Sequence, residues 1–440
     1  MTYLERIRAG RADPEVLEQT YRSAAERGEG EAFAGALEEA YAGEPGSLLF
    51  GAWHHRLAYD LVRPARRAVP WLAAITLAVA NGLVFWLLSA DQLTVEVGGL
   101  ESLPLLAMVW APISAVFVMA FLVVGGARDL RSAALVSVAV VGLGLYTLWA
   151  HTLIGDPDLE LQYVVLAVLH LAVLAWSATG LFLLRDRADA PNRFAFLAKS
   201  LEVFVMAGLF VIAGGIFTAI TIGLFEALSV TLPEAVVRLI VAGGAGLIPV
   251  LAVAVVYDTS AAPADQPLDE GLGRVIATLM RALLPLTLLV LAIYVVLIPF
   301  RFWEAFQDRD VLIIYNVMVF AVIALLVGAT PFSPESVSPA MRVWLRRGLI
   351  VLALLAVIVS VYELAAIAYR TWDGGFTLNR LTILGWNLIN TTILVGLLVR
   401  QRRAGNGGWL PAMKAGFAAG MPLYAGWALL IVLVMPWLFR

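Results

Sequence analysis

The chain contains no cysteine and almost no lysine. Among its 440 residues cysteine is absent, and only Lys199 and Lys414 among the thirty basic residues are lysines. Without cysteine the chain forms neither disulfide bonds nor thiolate metal sites, and it has no cysteine nucleophile. The formal net charge of −3 gives no basic excess of the kind that binds nucleic acids, so no nucleic-acid partner is predicted.

Recognisable enzyme motifs are also missing. The sequence has no P-loop pattern G-x-x-x-x-G-K-[ST], no zinc-protease pattern H-E-x-x-H and no nucleophile elbow G-x-S-x-G. A membrane-embedded enzyme would need convergent acids, histidines or hydroxyls, and this sequence offers isolated ones. We therefore predict that the protein is not an enzyme and that it holds neither a cofactor nor a metal.

Charged residues are scarce and apolar residues are abundant. The chain is 14% charged and 61% hydrophobic, with a mean hydropathy of +0.87. Soluble domains are about half apolar and about a quarter charged. The apolar residues form stretches of about twenty residues, the length that crosses a hydrocarbon core about 30 Å thick. Because backbone groups in that core must be satisfied within their own segment, the fold predicted is an all-α, polytopic transmembrane helix bundle.

Eleven such stretches define a predicted transmembrane domain at residues 67–440. The predicted spans are 70–90, 103–125, 133–154, 162–184, 202–229, 234–257, 276–299, 311–329, 347–369, 381–399 and 418–438. The last span is interrupted by glycine and proline. The lipid bilayer is thus the first expected partner.

Residues 1–66 are polar and are predicted to form a small cytosolic helical segment. Asp13-Pro14 is a typical helix start, and Leu17, Tyr21 and Ala24 follow on one helix face. We expect three short helices, which would pack on one another and on the membrane surface and could bind a protein partner. The first long apolar run starts at Pro70, so no cleavable signal peptide is predicted and the first span would act as the insertion signal.

The distribution of basic residues predicts the orientation in the membrane. With a cytoplasmic N-terminus, seventeen arginines and lysines fall in inner segments and five in outer ones, as the positive-inside rule requires. The inner set is Arg63, Arg66, Arg67, Arg128, Arg131, Arg185, Arg187, Arg193, Lys199, Arg274, Arg342, Arg346, Arg347, Arg400, Arg402, Arg403 and Lys414; the outer set is Arg301, Arg309, Arg370, Arg380 and Arg440. The prediction is a multi-pass protein with an outer C-terminus.

One C-terminal motif carries a resemblance to a known family. Arg370 is followed by a short loop, Gly375-Phe376-Thr377-Leu378-Asn379-Arg380, between two predicted spans, and the run from Leu283-Leu284-Pro285 to Ile298-Pro299-Phe300 is similar as well. This pattern resembles a family of bacterial inner-membrane proteins of unknown function, over the C-terminal third to half of the chain. The inserted Trp372-Asp373-Gly374 departs from the family loop. The resemblance implies a bacterial cytoplasmic membrane and supplies no catalytic residue.

Ionisable residues inside spans are the first candidate functional residues, because they are costly in hydrocarbon and usually face a bundle interior or a cavity. Glu363 lies in the outer half of the ninth span and His170 near the middle of the fourth. Glu363 is a candidate for binding a proton or a cation, and His170 is the second candidate because its ordinary pKa is about 6.5. The alternative is that both are satisfied structural groups. Glu226 and Arg238 flank the turn between spans five and six, where an ion pair is predicted.

Small and amide residues provide the remaining candidates. Gly243, Gly244 and Gly246, followed by Pro249, lie in the middle of span six. They predict either an unwound segment that binds an ion or ligand, as in transporters, or close helix packing through small residues. Asn387 and Asn390 give span ten a polar stripe, which would either line a solute path or hydrogen-bond helices together.

Two functional classes are compatible with this sequence. The first is a transporter- or channel-like protein for a small solute, an ion or a lipid. The second is a non-transporting scaffold, sensor or accessory subunit that acts through protein partners. A cavity that meets Glu363 or the 243–249 segment would favour the first class, and a solid bundle with a broad exposed apolar flank would favour the second.

Overall fold

The computed structural model describes residues 2–27, 29–62, 69–98, 102–126, 128–405 and 407–440. The chain divides into two compact units, Met1–Ala68 and Val69–Arg440. The predicted inner residues Arg63, Arg66 and Arg67 lie outside the described residues.

The described residues of the N-terminal unit form four helices: α1 (Tyr3–Ala9), α2 (Pro14–Glu26), α3 (Gly30–Gly43) and α4 (Leu48–Val62). Leu17, Leu37 and Phe50 are among the apolar side chains that form its fully buried core. Asp13 caps α2 as predicted, since its Oδ1 accepts the backbone N–H of Glu15 at 2.9 Å. The sequence-based prediction missed α1, whose signal is a capping box in which Thr2 and Glu5 satisfy each other's backbone N–H groups.

The second unit begins with a helix, a small hairpin and a run of long helices. Its elements are α5 (Trp71–Leu88), β1 (Thr94–Val95), β2 (Leu103–Pro104), α6 (Leu105–Gly126), α7 (Leu130–Ala150), α8 (Pro157–Leu183), α9 (Ala190–Ala227), α10 (Glu234–Arg238), α11 (Gly244–Val256), α12 (Gly271–Leu297), α13 (Glu304–Gln307), α14 (Arg309–Ala329), α15 (Pro339–Gly374), α16 (Leu378–Ala404), α17 (Trp409–Ala418) and α18 (Met421–Leu438). A π-helical turn, Leu239–Gly243, joins α10 to α11. The two strands pair antiparallel, with Thr94 opposite Pro104 and Val95 opposite Leu103.

Within the described residues, eleven helical segments are long and apolar enough to cross a membrane, which confirms the predicted number and the all-α polytopic bundle. Several helices run beyond the predicted spans: α9 starts at Ala190 rather than 202, and α15 covers Pro339–Gly374 rather than 347–369. Polar turns extend these helices past the apolar run because side chains cap their first N–H groups. Asp189 caps α9 and Ser338 caps α15.

The long helices pack in two groups. The first group is α5, α6, α7, α8 and α11, with a core around Met119 and Phe121. The second is α12, α14, α15, α16 and α17, with a core around Leu326, Leu349 and Leu394. Helices α9 and α18 join the groups, because α9 contacts α11 and α17 while α18 contacts α8 and α16.

Several connections that were predicted to be inner meet at one end of this unit. Arg185 forms an ion pair with Asp129, and Arg187 pairs with Asp265 at 3.5 Å. Arg128 donates to the carbonyl oxygen of Ala261 at 2.9 Å. The connections after α6, α8 and α11 therefore lie together, as an alternating series of spans requires.

Candidate functional site

A buried polar layer lies between α14, α15 and α16. Glu363 and Asn387 are fully buried, and Asn316 on α14 is partly buried beside them. Asn316, Glu363 and Asn387 lie seven, eleven and nine residues from the same end of their helices, which places them about 10–17 Å inside that end at 1.5 Å per residue. We call these three residues, together with Ser360 and Asn390, the polar layer.

The polar layer is only partly hydrogen-bonded. Asn316 Nδ2 donates to Glu363 Oε1, and Asn387 lies beside the same carboxyl group. Glu363 Oε2, Ser360 Oγ, Asn387 Nδ2 and Asn390 Nδ2 are buried and have no hydrogen-bond partner. Buried polar groups in native proteins are nearly always paired, so this layer is a candidate site for a ligand or a proton.

No described residue neutralises Glu363. Its described polar neighbours are the amides of Asn316 and Asn387 and the phenol of Tyr315, and within the described part of the chain its carboxylate forms no ion pair with a lysine, arginine or histidine. An isolated carboxylate removed from water is expensive to keep charged. Its burial without a charged partner is what the predicted candidate for binding a proton or a cation requires.

The last span is broken one helical turn from this layer. Its two helices, α17 and α18, are separated at Ala419-Gly420, and a Cβ at Gly420 would approach Ile393 Cδ1 to 2.7 Å. Tyr424, in the first turn of α18, donates its hydroxyl proton to Asn390 Oδ1 at 2.8 Å. The discontinuous helix is thus found in span eleven, where it directs a hydroxyl group at the polar layer.

His170, on α8, lies on the opposite side of α16 from α15, the helix that carries Glu363. Both nitrogens of its neutral ring are hydrogen-bonded. Trp386 Nε1 donates to His170 Nε2 at 2.9 Å, so Nδ1 carries the proton and donates to the Leu166 carbonyl oxygen at 2.6 Å. The Trp386 ring also lies 5.4 Å from the Tyr424 ring, centroid to centroid. These contacts fit the structural alternative for His170, which links α8 to α16.

A pocket of about 250 Å³ opens at the end of the same three helices. We call it the arginine pocket. It is lined by Gln162, Leu312, Ile313, Ile367, Arg370, Thr377, Asn379, Arg380 and Ile383. Four residues of the C-terminal motif therefore line it: Arg370, Thr377, Asn379 and Arg380. Gly375 of the same motif has φ = 76°, a left-handed conformation that glycine adopts without strain and that ends α15.

The arginine pocket lies one helical turn above the polar layer. Leu312 precedes Asn316 by four residues, Ile367 follows Glu363 by four, and Ile383 precedes Asn387 by four. Residues four apart lie on one face of a helix, so the apolar floor of the pocket covers the polar layer on all three helices.

Span six is continuous at the glycines and contains a π-helical turn instead of an unwound segment. The backbone comes so close to α5 that a Cβ at Gly82 would lie 2.6 Å from the Gly243 carbonyl oxygen, and a Cβ at Gly246 would lie 2.7 Å from Gly82 Cα. Asn81 Nδ2 donates to the Gly246 carbonyl oxygen at 2.7 Å. Pro249 lies inside α11, which continues through it. Close packing through small residues is therefore what this segment displays.

An apolar groove of about 870 Å³ lies beside this contact, between α5, α9 and the α10–α11 segment. Gly243 and Gly244 line it, together with Gly214 and Gly215 of α9. From residue 203 to the end of α9 at Ala227, no side chain is buried. This half of α9 is therefore an apolar flank of the described structure.

The predicted ion pair between Glu226 and Arg238 is wrong. Arg238 Nε pairs with the carboxylate of Glu234, four residues earlier on the same segment, at 3.2 Å. The i,i+4 spacing on one helix brings these two side chains together, whereas Glu226 is exposed at the end of α9.

Two important members of the site were not singled out from sequence. Tyr424 contacts Asn390 of the polar layer, and Trp386 contacts His170. In each pair the two residues are far apart in the chain. Sequence signals for them were weak: Gly420 and Pro422 indicated an interruption, and Trp386 precedes the amide residues of span ten.

The described residues contain no cluster of three or more histidine, aspartate, glutamate or cysteine side chains arranged to hold a metal ion. In comparisons of the chain with protein-family models, with curated proteins and with solved structures, nothing matches. The resemblance of the C-terminal motif to a family of bacterial inner-membrane proteins stays a prediction.

Proposed function

We propose that the protein is a transporter-like membrane protein that moves a small solute together with a proton, and that Glu363 is the proton-binding residue. The single observation that carries this proposal is the full burial of Glu363 within the bundle, with one carboxylate oxygen unpaired. Intramembrane acids in such positions are typical of proton relays in transporters.

The arrangement around Glu363 supports this role. The arginine pocket opens at one end of the helices, and its apolar floor lies one turn from the carboxyl group. On the far side of α16, Tyr424 and the break between α17 and α18 adjoin Asn390. Discontinuous helices are a recurring feature of ion and substrate sites in transporters.

Proton uptake by Glu363 is testable by infrared difference spectroscopy on the full-length protein in lipid vesicles. As the pH is raised, we expect the carbonyl-stretch bands of protonated carboxyl groups to disappear in the wild type, and the component that belongs to Glu363 to be missing from the difference spectrum of Glu363→Gln. Glu226→Gln is the matched control, because Glu226 is exposed. An identical titrating band in Glu363→Gln and the wild type would remove Glu363 from the proposal.

Transport is tested with the same three proteins in vesicles that enclose a pH-sensitive dye. Under an imposed pH gradient, with small organic solutes supplied on one side of the membrane, we expect the wild type and Glu226→Gln to move protons at least tenfold faster than protein-free vesicles. Glu363→Gln should fall to the protein-free rate. Equal proton flux through the Glu363→Gln variant would contradict the proposal.

The second candidate function is a non-transporting scaffold or accessory subunit. It is favoured by α9, whose apolar stretch has no buried residue, whereas every other candidate span among the described residues is partly buried; this stretch is therefore open to a partner helix as well as to lipid. Native mass spectrometry from mild detergent distinguishes the two functions. A second polypeptide retained at a fixed ratio, combined with no proton flux in vesicles, would favour the scaffold.

A further inference from the structure

We propose that the arginine pocket binds a small organic anion, whose oxyanion group lies on Arg370 and Arg380 and whose apolar body lies on the aliphatic floor. Binding at this pocket stands on its own geometry. Only the further step, that this anion is the transported solute, rests on the proposed function.

The two arginines are held in place and keep donors free. Arg370 Nη1 donates to the Gln307 carbonyl oxygen and Arg380 Nη1 to the Gly375 carbonyl oxygen, each at 2.7 Å. Within the described part of the chain, neither guanidinium has a carboxylate partner. Each guanidinium has five N–H donors, so several remain for a ligand.

The start of α16 adds to the positive potential of the pocket. Thr377 is the N-cap of α16, and Thr377, Asn379 and Arg380 all line the pocket. The unpaired N–H groups and the dipole of a helix N-terminus favour an anion. Here this effect acts together with two arginine charges on the same cavity, which favours an anion over a neutral or cationic ligand.

The floor and the size of the pocket restrict the anion. Leu312, Ile313, Ile367 and Ile383 present only aliphatic surface. With about 20–30 Å³ for each non-hydrogen atom, judged from the volume of a water molecule, a cavity of about 250 Å³ holds roughly 8–12 such atoms. A carboxylate with a short aliphatic chain or one ring fits these limits. Inorganic phosphate is smaller and would leave the aliphatic floor uncovered.

The position of Glu363 gives the anion a connection to the proton. The carboxyl group lies one helical turn beneath the floor residue Ile367. An anion in the pocket and a proton on Glu363 together carry no net charge, so the pair avoids the cost of moving a lone charge through hydrocarbon.

Isothermal titration calorimetry on the full-length protein in uncharged detergent tests binding. The probes are sodium hexanoate, sodium benzoate, sodium phosphate, the neutral amide hexanamide, and micelles that contain phosphatidylglycerol. We expect hexanoate and benzoate to bind, and phosphate and hexanamide to bind at least tenfold more weakly. Arg370→Gln and Arg380→Gln should each weaken hexanoate binding at least tenfold. Arg301→Gln should not, because Arg301 is an exposed arginine paired with Glu304.

A second variant separates a lost site from a misfolded protein. Ile383→Trp places an indole in the floor and leaves both arginines unchanged, so it should abolish hexanoate binding while the circular dichroism spectrum stays that of the wild type. Hexanoate binding retained in both the Arg380→Gln and the Ile383→Trp variants would overturn the proposal. Binding of phosphatidylglycerol alone, lost in the arginine variants, would also overturn it and assign the pocket to a lipid phosphate.

Failure of this inference and failure of the proposed function give different results. Hexanoate binding with no proton uptake at Glu363 would remove the proton-linked function and leave the anion site. Proton uptake and flux that depend on Glu363, with no binding of hexanoate or benzoate, would leave the proposed function and remove the organic anion.

Discussion

Replacing Gly385 with alanine should destabilise the contact between α16 and α18. A Cβ at Gly385 would lie 1.9 Å from Trp427 Cζ2 and within 2.4 Å of two further ring atoms. Carbon atoms in contact are about 3.5–4.0 Å apart, so the ring or the helix has to move by roughly 1.5–2 Å. Overpacking of this kind costs about 1–3 kcal/mol. The gain in helix propensity from glycine to alanine offsets at most about 1 kcal/mol of it.

Gly396→Ala is the matched control, because Gly396 lies on the same helix and a Cβ there meets no atom within 4 Å. Unfolding of both variants in mixed micelles, with increasing sodium dodecyl sulfate and tryptophan fluorescence as the signal, measures the difference. We expect Gly385→Ala to unfold at a lower detergent fraction than the wild type, and Gly396→Ala to unfold at an equal or higher one. Equal midpoints for the two variants would refute the close packing of α16 against α18.

Two further predictions concern stability away from the candidate site. In the N-terminal unit Leu37 is buried, whereas Leu48 is 92% exposed. Leu37→Ala should therefore destabilise that unit by about 2–5 kcal/mol and increase its rate of cleavage in limited proteolysis. Leu48→Ala should leave the cleavage rate unchanged. Burial raises the pKa of the Asp269 carboxyl above its ordinary value, so the folded protein binds a proton at Asp269 more tightly than the unfolded chain does. This proton stabilises the fold fully below about pH 4, and the stabilisation is lost as the pH rises through the raised pKa. Thermal melting of the wild type should therefore decline from acidic to neutral pH relative to Asp269→Asn, and parallel curves would show that Asp269 is not responsible.

The number of spans could be predicted from the sequence because the bilayer imposes a length and an apolar composition on each helix separately. Helix ends were less predictable. The first turns of α9 and α15 lie before their predicted spans, yet they are helical because Asp189 and Ser338 cap them. Hydropathy registers where the apolar run stops, and it does not register where the helix stops.

The pairing of polar side chains could not be predicted, because it depends on which helices become neighbours. Glu363 was a candidate from its depth alone, and its contact with Asn316 required α14 to lie beside α15. Arg238 shows the same limit at short range, since Glu226 and Glu234 were both close in sequence and only the helix geometry selected Glu234. His170 was named as titratable, and its satisfaction by Trp386 on a distant helix was invisible in the sequence.

The contact between Asn81 and Gly246 has a consequence for the synthesis of the protein. The donor and the acceptor are 165 residues apart in the chain. At about 5–20 residues per second, roughly 8–33 s separate the emergence of the first residue from that of the second. During this interval α5 has entered the membrane with a buried amide that lacks its final partner. The final hydrogen bond of Asn81, and with it the close contact between α5 and α11, is therefore made only after most of the first six spans have been synthesised.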